Sequence, residues 1–396
     1  MNKHNAWIVR ILNLGLVLFL YMSGNGSSVA WADRYLLSAR PVTESTKKAL
    51  EISRQLLGIS ENLKPKTSVS YFEIIYQTLG VRKERVRASG LIVVPNERPD
   101  QPLSLLSYQH GTILKKTDVP SGVFLSPDAA AAGLMSSLGF VVVAADYLGI
   151  GLSDGFHPYL HAETEATASA DLLRAAQEFL PQLKVKFRNE IYLLGYSQGG
   201  HATLALQHYL EATAFPEFHV IKSAPMAGPY ALSSTVMSSS LDQMWLFHIL
   251  YTIHSMNRIY GIDSTFSSIL SSPYDSQISS WYDGSHSLKE ITSTLEGKTL
   301  RDVVLGSFLS EIKSNPSHPF VQALRKNDVY DFKPLAPVRL YHGRADQTVP
   351  YENSEIAYRR MKSLGAEVSL INLGDSVTHG SGAGPAFSKA LEWFLE

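Results

Sequence analysis

From residue 103 onward, short apolar runs alternate with segments whose apolar residues recur at helical spacing. The apolar runs are Leu103–Tyr108, Phe140–Ala145, Ile191–Leu194, His219–Ala224, Val338–His342 and Val368–Leu373. Alternating strands and helices are typical of a parallel sheet, because each connection must cross back over it. The runs have few polar interruptions, which indicates strands buried on both faces. The sequence therefore predicts the α/β class, with a mostly parallel central sheet flanked by helices.

The chain before this alternation has a different pattern. Glu44–Leu57 carries apolar residues at helical spacing, which predicts a short helix. Val69–Gln77 and Arg85–Val94 are strand-like runs on either side of a charged turn. Two such runs around a short turn predict a β-hairpin.

The alternation stops between Pro229 and Ala336, in a stretch that is rich first in serine and then in aromatic residues. A structureless loop of roughly 100 residues inside one domain is rare. Leu241–Thr252 and Arg301–Ile312 show helical patterns. We therefore expect residues 229–336 to form a helical cap over the functional site, between core segments 33–228 and 337–396. The alternative is a separate subdomain that packs on the core and has no role in substrate binding.

The amino-acid composition excludes several classes of function. The 396 residues are 45% hydrophobic and 18% charged, with a formal net charge of −1. This is the composition of a globular protein, without the basic excess of nucleic-acid binders, so we expect no nucleic-acid partner. The chain has no cysteine. That excludes disulfides, a thiol nucleophile and Cys-ligated zinc.

Two short motifs partly match the sequence pattern of a cofactor or metal site, but neither matches it fully. Gly149-Ile150-Gly151 lacks the third glycine of a dinucleotide fingerprint, because Asp154 stands in that position. His157, His161 and Glu163 have a spacing that fits no dedicated metal site. We therefore expect no cofactor and no bound metal.

The N-terminal 32 residues have the pattern of a secretory signal. Lys3 and Arg10 precede an apolar run over Ile11–Met22, and a small-residue stretch then ends in Ala30-Trp31-Ala32. The run is too short to span a bilayer, which needs about 20 residues. A basic start, a short apolar run and an A-x-A site predict cleavage near Ala32. The mature protein is then secreted or periplasmic, and the alternative is an uncleaved anchor.

The strongest motif is the sequence GYSQG at Gly195–Gly199. It follows the predicted strand Ile191–Leu194 directly and precedes a predicted helix. A G-x-S-x-G sequence between a strand and a helix is typical of a nucleophile elbow, which raises the serine hydroxyl above the sheet edge. We therefore predict that Ser197 is a catalytic nucleophile.

A serine hydroxyl needs a general base, and in this architecture an acid and then a histidine follow the serine along the chain. Asp346 lies just after the predicted strand Val338–His342, and His379 follows the last predicted strand. Both residues would lie at the same sheet edge as Ser197. We predict Asp346 as the residue that orients the imidazole and His379 as the general base, with Asp375 as the rival acid.

Other histidines fit this order less well. His342 lies at the end of a predicted strand, which favours a packing role. His201 and His208 follow Ser197 so closely on the elbow helix that they would not reach back to it.

A tetrahedral intermediate also needs two donors for its oxyanion. The first donor expected is the backbone N–H of Gln198, the residue after the nucleophile. The second should come from the loop after Leu103–Ser107, where Gly111 allows a close approach. We predict Thr112 for this role, through its N–H or its hydroxyl, although His110-Gly111 could also form a simple turn.

These residues resemble the α/β-hydrolase superfamily, and more narrowly the secretory lipase family and its bacterial relatives. The motifs that carry the resemblance are Ser89–Pro95, Tyr108–Thr112, Asp146–Gly151, His157–Leu160 and Gly195–Gly200. The resemblance implies an α/β-hydrolase fold and a secreted Ser–Asp–His ester hydrolase that acts on acylglycerols or other acyl esters without a cofactor. Secreted fungal members usually carry disulfides, and this chain departs from them in having no cysteine.

The sequence thus predicts a secreted lipase or esterase that forms an acyl-enzyme on Ser197. An aromatic-rich cap would favour lipid or other hydrophobic esters over short polar ones, and it allows transient contact with a lipid interface. Two alternatives remain at this point. One is a serine peptidase or amidase, since the same residues cleave amides. The other is a non-catalytic binding protein on a hydrolase scaffold.

Overall fold

The computed structural model describes residues 34–122, 126–212, 217–237 and 246–396. The predicted signal segment, residues 1–32, lies outside the described residues. Within the described chain, no helix is both long enough and apolar enough to cross a bilayer.

The described chain forms a mixed sheet of nine strands, in the order β1-β2-β3-β5-β4-β6-β7-β8-β9. The strands are β1 (Leu36–Ser45), β2 (Val69–Leu79), β3 (Arg85–Pro95), β4 (Leu103–Gln109), β5 (Val141–Ala145), β6 (Phe187–Tyr196), β7 (His219–Met226), β8 (Val338–His342) and β9 (Val368–Asn372). Pairing is antiparallel from β1 through β3 to β5 and parallel across the rest of the sheet. The predicted α/β class and the predicted hairpin β2–β3 are therefore confirmed.

Helices cover both faces of the sheet. Those outside the segment between β7 and β8 are α1 (Lys47–Leu56), α2 (Pro127–Ser137), α3 (Ala162–Phe179), α4 (Gln198–Ala212), α12 (Glu352–Ser363) and α13 (His379–Leu395). Val93 belongs to an apolar cluster that includes residues of α1, α2 and α13, while its neighbour Ile92 belongs to a cluster that includes residues of α3 and α4. Successive residues of a strand point to opposite faces. The central strands are therefore buried on both sides, as their apolar sequences predict.

The first strand was not predicted. Within the described chain, β1 is an edge strand that pairs with β2 and is largely exposed, so its sequence lacks the apolar alternation of a half-buried strand. The helix predicted over Glu44–Leu57 begins later, at Lys47, and Glu44 belongs to β1. Thr46 explains the boundary, because its side chain accepts a hydrogen bond from the Ala49 N–H and caps the helix.

The segment between β7 and β8 contains a second set of helices. They are α5 (Leu232–Met237), α6 (Leu246–Tyr260), α7 (Tyr274–Trp281), α8 (Leu288–Thr294), α9 (Leu300–Val303), α10 (Gly306–Ser314) and α11 (Pro319–Lys326). The helix predicted over Arg301–Ile312 is two short helices, because Val304 takes an extended conformation and ends α9. These helices share an apolar cluster that includes Leu250, Ile278 and Leu324, and Tyr159 and Leu160 from the loop before α3 also belong to it.

Candidate active site

Ser197 lies in a sharp turn between β6 and α4. Its φ angle is 60°, a left-handed conformation that costs a non-glycine residue free energy. Gly199 allows the turn, because a Cβ at this position would collide with the backbone of Gln109 on β4. The strand, strained serine and helix together form the nucleophile-elbow geometry.

The structure brings Ser197, His379 and Asp346 into one hydrogen-bonded chain. His379 Nε2 lies 2.9 Å from Ser197 Oγ, and His379 Nδ1 lies 2.6 Å from Asp346 Oδ2. Asp346 follows β8, and His379 is the first residue of α13. The three side chains thus reach one edge of the sheet from segments far apart in sequence. The rival acid Asp375 is exposed and lies 3.4 Å from Arg344.

Asp346 is held as an ionised acceptor. Thr348 N–H and Val349 N–H donate to its Oδ1 at 2.9 and 2.8 Å, while two histidines contact Oδ2. Burial by itself would raise the pKa of the Asp346 carboxyl. The hydrogen bonds from His342 and His379 outweigh burial and hold that pKa well below its usual range.

His342 is more than the packing residue that the sequence indicated. It is fully buried, with Nε2 at 3.1 Å from Asp346 Oδ2 and Nδ1 at 2.7 Å from Ser354 Oγ. The spacing of four residues between His342 and Asp346 was the only signal in the sequence. A spacing of four residues does not predict a contact at the end of a strand, because the path of the following loop decides whether the two side chains meet.

Tyr196 is a second residue whose role the sequence did not indicate. Its hydroxyl donates to the backbone carbonyl of His379 at 2.6 Å, and the two rings lie 5.0 Å apart. Tyr196 therefore links the elbow to the start of α13 and helps to place the imidazole.

Gln198, predicted as an oxyanion donor, opens α4. The first N–H groups of a helix have no intrahelical acceptor, so the Gln198 N–H is available beside Ser197. The Gln198 side chain is buried and donates to Glu165 Oε1 at 2.8 Å and to His157 Nε2 at 2.9 Å. These hydrogen bonds hold Gln198, and with it the backbone N–H proposed to bind the oxyanion, in a fixed position.

A buried ion pair lies behind the elbow. His201 Nδ1 lies 2.7 Å from Glu165 Oε2, and His201 Nε2 lies 2.8 Å from the carbonyl of Asn327. Both ring nitrogens thus face acceptors, which favours the imidazolium. Burial opposes this charge, but Glu165 outweighs burial and raises the pKa of His201. The His201 ring thus has Glu165 and Asn327 as its partners rather than the Ser197 hydroxyl, and it supports the elbow through Glu165.

Two pockets meet at Ser197. The first is apolar and runs between Ser197 and the helices that precede β8, with walls that include Ile253, Leu309, Phe320 and Leu324. The second is more open and contains Thr112, Ser197, Leu288 and His379. Thr112, the second predicted oxyanion donor, therefore borders the same pocket as Ser197 and His379.

The residues considered for a metal site have other partners. His157 Nδ1 lies 2.7 Å from the carbonyl of Leu148, and His161 Nδ1 lies 3.0 Å from Thr164 Oγ1. Glu163 forms an ion pair with Lys83. In the part of the chain that the structure describes, no group of three His, Asp or Glu side chains is arranged to hold a metal ion.

The chain is similar to known lipases and esterases. The family model for secretory lipases matches residues 128–395. Esterase LipA of Xanthomonas oryzae, described as degrading the rice cell wall, is 29% identical over 91% of this chain and 97% of its own, with a TM-score of 0.81. A hydrolase of unassigned activity from Legionella pneumophila is 28% identical over the same shares, with a TM-score of 0.84.

Candida antarctica lipase A is more distant. It is 16% identical over 88% of this chain and 78% of its own, with a TM-score of 0.67, so it supports the fold alone. No curated protein sequence matches the chain.

The fold and these relatives define the class as an α/β-hydrolase of the lipase and esterase type. Within that class, the chain belongs to the secretory lipase family. The resemblance stated from the sequence motifs is thus confirmed.

Proposed function

We propose that the protein is a serine hydrolase of hydrophobic carboxylic esters, with Ser197 as nucleophile, His379 as general base and acid, and Asp346 as the group that orients the imidazole. The observation that carries this proposal is the continuous chain Ser197 Oγ–His379–Asp346, with spacings of 2.9 and 2.6 Å. Such a chain activates a hydroxyl that is otherwise a weak nucleophile.

The reaction then has two halves. Ser197 Oγ attacks the ester carbonyl carbon while its proton passes to His379 Nε2. His379 returns this proton to the leaving alcohol oxygen as the carbon–oxygen bond breaks, which leaves the acyl group on Ser197. Water repeats the sequence with His379 as base, and the carboxylic acid leaves with Ser197 restored. Asp346 stays ionised throughout, because its hydrogen bonds hold its pKa low.

The oxyanion of each tetrahedral intermediate would be bound by the N–H groups of Gln198 and Thr112. Gln198 is the first residue of α4, whose N-terminus favours negative charge. Thr112 lines the pocket that also contains Ser197 and His379.

Residues 229–336 would serve as the cap between the core segments 33–228 and 337–396. Their helices supply most of the apolar wall beside Ser197, including Ile249, Phe308 and Ile312. An apolar pocket stabilises an acyl chain by removing its surface from water. The alcohol part of the ester would then leave through the more open pocket beside His379.

The substrate class can be tested with p-nitrophenyl esters from acetate to palmitate, set against a p-nitroanilide of the same acyl chain. We expect ester hydrolysis that rises from acetate to longer acyl chains, and little cleavage of the anilide. Faster cleavage of the anilide would favour the amidase alternative. A steep fall beyond short acyl chains would exclude the lipase, and no turnover of any ester would favour a binding protein.

We also propose that the protein is exported and cleaved near Ala32. The support is the basic, apolar and small-residue order of residues 1–32, together with membership of a secretory family. N-terminal sequencing of protein from the periplasm and the medium tests this, with a start at Asp33 expected. An intact N-terminus in the membrane fraction would indicate an anchor instead.

A further inference from the structure

Three side chains from separate segments form a hydrogen-bond relay beside Ser197. Thr112 Oγ1 lies 3.0 Å from Tyr159 Oη, and Tyr159 Oη lies 3.1 Å from His248 Nδ1. Thr112 is in the loop after β4, Tyr159 is in the loop before α3, and His248 is on α6. The relay thus connects the predicted oxyanion loop with a helix of the proposed cap.

Every member of the relay borders the site. Thr112 and His248 line the open pocket with His379, while Tyr159 and His248 line the apolar pocket. Tyr159 is buried, and its ring stacks on that of Tyr251 with centroids 4.3 Å apart and planes 4° from parallel. A ring packed in this way holds its hydroxyl at a fixed place between Thr112 and His248.

The relay members are neutral. Burial raises the pKa of the Tyr159 hydroxyl, and burial lowers the pKa of His248 to about 3. A neutral histidine has a single N–H. If that proton is on Nδ1, His248 donates to Tyr159 Oη, and the phenol proton must then go to Thr112 Oγ1. The hydroxyl proton of Thr112 is left free to turn into the pocket.

We propose that Tyr159 and His248 are positioning residues, which orient the Thr112 hydroxyl as a third donor to the oxyanion. Negative charge that develops on the carbonyl oxygen favours the arrangement in which the Thr112 hydroxyl donates to that oxygen. In the opposite arrangement, Thr112 donates its proton to Tyr159 instead. Because His248 is on α6, the cap completes the oxyanion site as well as lining the acyl pocket. The inference rests on the proposed serine mechanism.

The test removes one hydroxyl at a time. Tyr159→Phe keeps the ring and deletes the oxygen that links Thr112 with His248. Tyr76→Phe is the matched control, since this buried tyrosine donates its hydroxyl to the carbonyl of Ala168 at 2.8 Å and lines neither pocket. We expect Tyr159→Phe to lower kcat about 10-fold with KM within about twofold, and Tyr76→Phe to change neither by more than about twofold.

Thr112 variants separate orientation from packing. Thr112→Val should lower kcat by about 10- to 100-fold, and Thr112→Ser should recover most of that loss because it restores the hydroxyl. The double variant Tyr159→Phe/Thr112→Val should lose no more than Thr112→Val alone, since Tyr159 acts through Thr112. A trifluoromethyl ketone, whose serine adduct carries the oxyanion, should lose affinity in parallel with kcat/KM.

A normal kcat in Tyr159→Phe, or losses that multiply in the double variant, would overturn the inference. So would a loss of kcat without any loss of affinity for the ketone. Ser197→Ala distinguishes a failure of the relay from a failure of the proposed serine mechanism. If Ser197→Ala is inactive while Tyr159→Phe is normal, the relay alone is wrong; if Ser197→Ala keeps wild-type activity, the serine mechanism itself is wrong.

Discussion

His342 Nε2 lies 3.1 Å from Asp346 Oδ2, the same carboxylate oxygen that contacts His379 Nδ1 at 2.6 Å. One carboxylate thus serves two histidines, of which one is fully buried and the other reaches Ser197. His342 Nε2 also lies 3.0 Å from the carbonyl of Val349, so both of its neighbours are acceptors and Nε2 carries the proton, while Ser354 Oγ, at 2.7 Å from Nδ1, can donate to that nitrogen. His342 therefore fixes the position of the carboxylate that orients the proposed base.

Replacement of His342 by phenylalanine should slow catalysis without weakening substrate binding. The change keeps a buried ring but removes a donor to Asp346, so we expect kcat to fall about 10-fold with KM nearly constant. The matched control is His254→Phe, which replaces another fully buried histidine that lies outside both pockets. Equal activity of the two variants would contradict a positioning role for His342.

The assignment of the acid can be tested with two asparagine variants. Asp346→Asn should lower kcat about 10⁴-fold, because an amide favours the wrong tautomer of the histidine. Asp375→Asn should stay within about twofold of the wild type, since Asp375 is exposed and paired with Arg344. A larger loss of kcat in Asp375→Asn than in Asp346→Asn would show that Asp375 is the acid.

The stability of the protein should fall as the pH is lowered from about 6.5. Burial lowers the pKa of His157 and His161 to about 4 and that of His254 to about 3. Because the unfolded chain binds protons near pH 6.5 and these folded-state sites do not, acid favours unfolding across this window. Each such histidine should cost about 2 kcal/mol of unfolding free energy at pH 5.

His254 allows that prediction to be measured at one site. Within the described chain, neither of its ring nitrogens has a hydrogen-bond partner. His254→Phe should raise the free energy of unfolding by about 1 kcal/mol at pH 7 and by about 2 kcal/mol more at pH 5. Urea unfolding at both pH values tests this, with the exposed His219→Gln as control. The same gain at both pH values would show that His254 does not titrate as predicted.

The apolar pocket predicts how acyl-chain preference can be changed. Leu309→Trp places a larger side chain in the pocket wall, so activity on octanoate should fall at least about 10-fold while acetate remains a substrate. Leu288→Trp adds the same bulk to the open pocket and should leave the order of acyl-chain preference unchanged. If both variants shift the chain-length profile alike, the acyl chain does not occupy the apolar pocket.

The predicted site residues follow parallel strands, and this explains why the sequence could locate them. Ser197 comes directly after β6, Asp346 lies in the loop after β8, and His379 begins the helix after β9. The carboxyl ends of parallel strands meet at one edge of the sheet, so their order in the chain is sufficient to bring them together.

The residues that were not predicted depend on side-chain contacts between distant segments. Tyr159 and His248 are 89 positions apart, and Glu165 and His201 are 36 positions apart. No periodicity or turn motif links such pairs, since the packing of whole helices brings them into contact. β1 was not predicted for a different reason, because the sequence of an exposed edge strand has little apolar alternation.

The most direct test of the central claim is covalent labelling with a p-nitrophenyl alkylphosphonate, followed by mass spectrometry of the digested protein. Attack by Ser197 Oγ on phosphorus would release one p-nitrophenolate per protein and leave one adduct on the Gly195–Gly199 peptide. We expect full labelling of the wild type, none in Ser197→Ala and slow labelling in His379→Ala. An active wild type whose adduct lies on another residue, or that forms none, would contradict the account.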